Sequence, residues 1–306
     1  MKSKNELFSD LMRDLEVEIG SRDLTEMVML SLIDAIKAFK RSKLNNFCEQ
    51  YDEFVEMICN TEPKFGIFRY YFGRLKEDIF GGVCKRKMDD KWKKTAINKI
   101  KKVMREARKE KRRILEYSEK IKVDGKTILI HDHSHTVQDA LVHLKKKGRK
   151  FDVIIAEQDY EKTHDNIERL HAAKIPFMVV PAYMLSHLHK EIDMVFFGAL
   201  TLKDTMHFVM NPGALSIVTE FTMEDIPVYM FLGIEKFSLW KSEVRGEIFI
   251  HRHTREHLSK PIIYERTKYS HDRVPADLFY KVVTNEGILK PEKVEKLYWE
   301  RFEDAK

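Results

Sequence analysis

The stretch Phe151–Glu157, FDVIIAE, is a nearly unbroken apolar run, and its reading decides the fold. A strand with one wet face alternates apolar and polar residues, whereas a continuous run belongs to a strand buried on both faces. Comparable runs flank it: Thr127–His131 (TILIH), Pro176–Pro181 (PFMVVP), Asp193–Ala199 (DMVFFGA) and Pro227–Gly233 (PVYMFLG). Helical patterns separate them at His135–Lys147, Lys162–Ala173, Met184–Lys190 and Pro212–Thr222. Such alternation predicts an α/β fold with an open, mostly parallel, Rossmann-like sheet covered on both faces. Beyond Lys241 the pattern is less regular, with strand-like pieces at Ile248–His251 and Pro261–Glu265 and a final helix over Pro291–Phe302.

Upstream of Lys126 the grammar is helical throughout. Leu7, Leu11 and Leu15 recur every four residues, Ile19-Gly20 closes that stretch, and Asp23 with Glu26 has capping-box spacing. Phe47, Tyr51, Phe54, Val55 and Ile58 mark a further helix, and Pro63 opens the aromatic segment Phe65–Phe80 before the Gly81-Gly82 break. The expected division is therefore an N-terminal all-helical domain, 1–122, and an α/β domain, 123–306. The helix expected over Lys87–Tyr117 has an apolar face (Trp92, Ile100, Val103, Met104, Ile114) and a charged one. Lys85–Lys122 holds 17 Lys and Arg against 6 Asp and Glu, an excess of 11 in a chain of net charge +6, so the remainder is mildly acidic. That face suits RNA or an acidic partner. Equally, it reads as a solvated face whose long stems cover apolar neighbours, since no aromatic residues interleave with the charges as stacking platforms.

No apolar run approaches the roughly 20 residues of a membrane span, and the first residues (Lys2, Lys4, Glu6) are wrong for a signal peptide. The three cysteines, Cys48, Cys59 and Cys84, show no metal-ligand or framework spacing, and the expectation is a reducing, cytoplasmic setting with no disulfide framework.

In an open doubly wound sheet, ligands bind beyond the carboxyl ends of the strands, where strand order reverses. If the first and fourth strands are neighbours, the relevant loops are His131–His135 and Ala199–Met210. The first reads His131-Asp132-His133-Ser134-His135. An H-x-H with a carboxylate at a strand end can ligate zinc or manganese, with His251, His253 and His257 as further donors. The ordinary reading is hydrogen-bonded loop histidines, and on that reading the site holds no metal and no cofactor. Glu157, Lys203, Asp204 and Lys236 are further ionisable residues with ordinary explanations as caps or surface groups.

The string ILIHDHSHTVQDAL resembles the first-strand motif of the initiation-factor-2B alpha/beta/delta subunit family, a superfamily that includes two sugar-phosphate isomerases. Val153–Glu157, Phe177–Val180, Phe197-Gly198-Ala199, Pro227–Phe231 and Lys236-Phe237-Ser238 are similar to its later motifs, in order. So are Val274-Pro275 and Thr284-Asn285-Glu286-Gly287 near the end. The resemblance implies a catalytic Cys–Asp pair in the isomerases, with phosphate held by arginine and backbone amides. Here the cysteine position falls on Asp132, the aspartate on Leu200 and one arginine on Asp159, while the glycine loop becomes Met210-Asn211-Pro212-Gly213-Ala214. The N-terminal phosphate motif is not evident around Ser21-Arg22-Asp23.

Losing one general acid or base costs about 10²–10⁴ in rate, so no catalytic residue is assigned. The expected function is that of a noncatalytic regulatory or interaction protein. A sugar-phosphate isomerase or phosphorylated-ligand sensor with altered residues is the alternative, and a metal-dependent hydrolase built on His131–His135 a second. His131, Asp132, His133, Ser134, Glu157, Lys203 and Lys236 are the candidate ligand-binding residues, for a phosphorylated small molecule. The resemblance further implies a homodimer joined by its α/β domains. Phe237, Leu239, Trp240, Phe249, Ile262, Ile263, Tyr264, Phe279 and Tyr280 are the expected exposed apolar surface for that contact.

Overall fold

A computed structural model describes residues 4–38, 47–59, 65–81, 89–131, 133–157, 160–239, 250–256, 263–269 and 271–304. The chain divides into two compact units: Met1–Ile121 with Leu232–Leu239 and Val283–Ile288, and Lys122–Phe231 with Trp240–Val282 and Leu289–Lys306.

The first unit is built on α1 (Lys4–Ala38), α2 (Phe47–Cys59), α3 (Gly66–Phe80) and α4 (Asp90–Ser118). Gly20, at φ 77° and ψ 153°, breaks the path of α1 at the place the leucine spacing ends. Gly81 ends α3 in the left-handed region, its N–H bonded to the Glu77 carbonyl at 2.8 Å. Asp89 caps α4 by accepting from the Trp92 N–H at 2.8 Å. The core is aromatic. Tyr51 and Phe80 meet at 5.3 Å between ring centroids, Phe68 stacks on Phe72 at 5.9 Å, and Trp92 stands edge-on to Phe47 at 6.0 Å. On α4, Trp92, Ala96, Ile100, Val103 and Ile114 are buried, while Lys101, Arg105, Lys109 and Arg112 are exposed. Cys48 is buried and disulfide-bonded, a single bond and not the framework that the cysteine spacing argues against. Spacing along the chain says nothing about which thiols the fold brings together.

The second unit carries the parallel strands of the sheet. Its parallel strands are β1 (Lys126–Ile130), β2 (Phe151–Glu157), β3 (Phe177–Pro181), β4 (Met194–Gly198) and β7 (Val228–Phe231). With β11 (Lys281–Thr284) and β12 (Gly287–Leu289) the order is β12-β11-β7-β4-β1-β2-β3. The fold class expected from the apolar runs is the one observed. β1 pairs in parallel with β2 on one side (Ile128 with Val153) and with β4 on the other (Ile128 with Met194). The order reverses there, which places the switch point between β1 and β4. Helices α5 (His135–Lys146), α6 (Tyr160–Ala172) and α7 (Ala214–Met223) are the crossovers, and α8 (Pro291–Asp304) ends the chain.

Three expectations need correction, while the strand-like pieces expected beyond Lys241 are strands. The loop expected over Ala199–Met210 contains β5 (Thr201–Leu202) and β6 (His207–Met210), which join β10 (Asp272–Pro275) in a three-stranded antiparallel sheet. The segment Met184–Lys190 is largely a 3₁₀ turn, Ala182–His187, rather than an α-helix. The pieces beyond Lys241 are one antiparallel hairpin, β8 (Ile250–Glu256) with β9 (Ile263–Tyr269). Phe237 and Phe279, expected on the surface, are buried because each follows a 3₁₀ turn that folds it inward. Tyr280 is half exposed and Leu239 partly buried, whereas the side chains of Trp240, Phe249, Ile262, Ile263 and Tyr264 lie outside what the structure describes.

Candidate functional site

The carboxyl end of β1 delivers the histidine-rich string to the switch point. His131 is buried, its Nε2 lies 3.2 Å from the Pro212 carbonyl, and burial pulls its pKa down to about 4. It is therefore a neutral imidazole at physiological pH. Gly213, at φ 91°, opens α7 directly against it, and a Cβ there would lie 3.0 Å from His131 Nε2. Lys162 on α6 donates to Asn211 Oδ1 at 3.1 Å, so α6 and the turn before α7 meet at these strand ends. Asp132 lies outside the described residues.

The next histidines point elsewhere. His133 Nε2 is 2.9 Å from Asp165 Oδ2, and the His135 ring stands edge-on to His133 at 4.6 Å. Burial, with the His133 imidazole beside it, lowers the His135 pKa to about 4. Hydrogen bonds from His133 and from Gln138 hold the Asp165 carboxyl well below the usual range. The donor atoms of His133, His135 and Asp165 all lie within 4.8 Å of one another. Gln138 Nε2 donates to Asp165 Oδ2 at 2.5 Å and to Asn166 Oδ1 at 2.9 Å, while Arg169 Nε donates to Gln138 Oε1 at 3.2 Å. Ser134 has the structural role that its position suggests. Its Oγ accepts from the Val137 N–H at 3.4 Å and caps α5.

The other candidates do not join this group. Glu157 is exposed at the end of β2. Lys203 is buried at the β5–β6 turn, its backbone N–H bonded to the His207 carbonyl at 3.0 Å. Asp204 is the neighbour in that turn. Lys236 belongs to the helical unit, where a Cβ on Gly66 would come within 2.8 Å of its carbonyl oxygen; close backbone packing gives that segment a structural role. The side chains of His251 and His253, and all of His257, lie outside the described residues. The sequence reading missed Asp165, Gln138 and Lys162. They belong to no motif, and only the packing of adjacent crossover helices could have pointed to them.

The helical unit has a polar centre of its own. Arg22 forms an ion pair with Glu235, whose side chain is 1% exposed. The Tyr71 hydroxyl donates to Glu110 at 2.5 Å, and burial pushes the pKa of both groups up. A small cleft lies beside them, lined by Arg22, Thr25, Met29, Tyr71, Met104 and Lys111 among others.

A helical N-terminal unit followed by a mostly parallel sheet is an architecture that solved structures share. The eIF-2B translation initiation factor of Pyrococcus horikoshii OT3 aligns with TM-score 0.70 at 16% identity, over 92% of this chain and 98% of that one. The tetrameric eIF2B-beta2-delta2 complex of C. thermophilum aligns with TM-score 0.69 at 16% identity, over 97% and 95%. The sequence profile of the Initiation factor 2 subunit family (IF-2B) matches residues 18–291, and the chain belongs to that family. It is 27% identical to the eIF2B alpha subunit of Dictyostelium discoideum over 150 residues, 49% of this chain and 46% of the relative. Identity to the delta subunit of Schizosaccharomyces pombe is 32% over 101 residues, 32% of this chain and 20% of the relative. The matches thus span less than half the length of these relatives. Among the described residues, no helix is long and apolar enough to cross a membrane.

Proposed function

We propose that this chain is a noncatalytic, cytoplasmic regulatory subunit of the initiation-factor-2B type that assembles with a second copy of itself through the α/β unit. The observation that carries the noncatalytic reading is Leu200. It is 8% exposed, and its N–H bonds to the Val209 carbonyl at 2.9 Å. An isobutyl group there can neither accept nor donate a proton, yet the resemblance assigns this position to the catalytic aspartate. The purified protein should show no turnover of ribose-1,5-bisphosphate or methylthioribose-1-phosphate. Turnover that disappears in Asp132→Ala would defeat this reading in favour of an altered isomerase.

Assembly through the α/β unit is supported at the sheet edge. β3 ends the sheet, Met178 and Val179 on it are 46% and 38% exposed, and Tyr183 and Met184 just beyond it are 86% and 42% exposed. An uncovered edge strand with apolar side chains is a hazard for an isolated protein and a natural pairing surface for a second copy. Light scattering on the full chain should give a dimer at micromolar concentration, and Met178→Lys/Tyr183→Arg should give a monomer. A monomeric parent protein would overturn the assembly reading. The exposed cationic face of α4 is assigned to an RNA or an acidic translation-factor surface. A phosphorylated ligand, if one is retained, belongs at the switch point near His131, Lys162 and Asn211.

A further inference from the structure

We propose that His133, His135 and Asp165 form a binding site for a divalent transition-metal ion of the zinc class, clamping the start of α5 to α6. Two imidazole nitrogens and one carboxylate oxygen are a donor set that favours zinc over magnesium or calcium, which take oxygen ligands. Three protein ligands leave a fourth position for water or an anionic group. Tetrahedral coordination needs donors about 3.3 Å apart, so a group already within 4.8 Å requires only small side-chain rotations.

A hydrogen-bonded His133–Asp165 pair would explain two of the three residues without any ion. It leaves unexplained the second imidazole, whose ring stands 4.6 Å from that of His133. It also leaves unexplained the support around the carboxylate. Gln138 and Asn166 are each 1% exposed; Gln138 donates to Asp165 and is itself held by Asn166 and Arg169. Outer partners of this kind fix ligand orientation in metal sites. Arg169, near the site, works against the cation, with Asp139 at 3.9 Å from its Nη1 offsetting part of that charge. The site is a binding site only, with no hydrolytic step assigned to it.

The test uses the full chain without an affinity tag, stripped with chelator and titrated with Co²⁺ and Zn²⁺. The expected result is one ion per chain, with the visible absorption of four-coordinate Co²⁺ bleached by Zn²⁺. His135→Ala and Asp165→Ala should lose the signal, and His171→Ala on α6 should keep it. Gln138→Leu should weaken binding by about 10–100-fold. If the alanine variants fold poorly, Asp165→Asn, which keeps the volume and one acceptor, carries the same expectation on a folded protein. Absence of stoichiometric binding, or binding that survives both His135→Ala and Asp165→Asn, would overturn the site.

Discussion

The two units bury polar groups in opposite ways. The helical unit neutralises them internally: Arg22 meets Glu235, and Tyr71 meets Glu110, around an aromatic core. The α/β unit gathers imidazoles just beyond β1, with His131 against a backbone carbonyl and His133 and His135 beside a single carboxylate. An internally matched cluster specifies a fold. Nitrogen donors in excess over their carboxylate partners suit a site that receives something. The same contrast separates the residues that resemble the family's building motifs from those at its chemical positions, where Leu200 is apolar.

The largest effect expected from this contrast is in the helical unit. Glu235→Ala leaves Arg22 without its partner in a site that is 15% exposed for the arginine and 1% for the glutamate. Breaking a buried pair in this way costs about 3–5 kcal/mol, and Glu235→Gln, which keeps an acceptor, should cost clearly less. Urea midpoints for the two variants measure the difference. Equal losses would mean that packing, and not charge, is what Glu235 supplies.

Acid should move the two units in opposite directions. His131 has a folded pKa of about 4 against an ordinary 6.5, so between those values the unfolded chain binds more protons. Stability then falls as pH drops through that window, by about 1.4 kcal/mol per pH unit, and His135 acts in the same sense. Glu110 is the reverse case. Burial raises its folded pKa above the unfolded value, so its contribution is fully present below the unfolded pKa and is lost as pH rises through the folded one. In chelator, between pH 7 and 5, unfolding monitored at the sheet should become easier, and His131→Leu should flatten that dependence. An unchanged pH profile in that variant would show His131 to be charged or exposed. Smaller still is Gly213→Ala, with an expected cost of about 1–3 kcal/mol from its backbone conformation and its approach to His131.

Much of the architecture was legible. FDVIIAE is β2 from end to end, and the leucine spacing stops at the kink in α1. The β5–β6 hairpin was not, because Lys203-Asp204-Thr205 reads as loop and its turn uses Met206 at φ 54°, where no glycine marks it. Phe237 and Phe279 were misread because a short 3₁₀ turn leaves no periodicity in the sequence. At the site, the H-x-H pattern announced two of the three donors. Asp165 lies 30 residues past His135, and only the packing of α5 beside α6 brings it there.

The last comparison concerns the exposed faces. β3 offers apolar side chains, whereas α4 offers Lys101, Arg105, Lys109 and Arg112, spaced so that they form one stripe along the helix. Replacing these four by glutamine should change stability by no more than about 0.5 kcal/mol, because exposed side chains away from caps and ion pairs contribute little. Dimerisation should be unaffected, since the stripe belongs to the helical unit and the proposed contact to the sheet edge. Binding to a single-stranded RNA or to heparin should weaken, and the slope of log K against log salt should fall by about 3, since each phosphate contact contributes about 0.7. A slope identical to that of the parent protein would make the stripe an ordinary solvated face, its lysine and arginine stems merely covering apolar surface. A loss of dimerisation instead would place part of the self-contact on the helical unit and break the division of labour between the two faces.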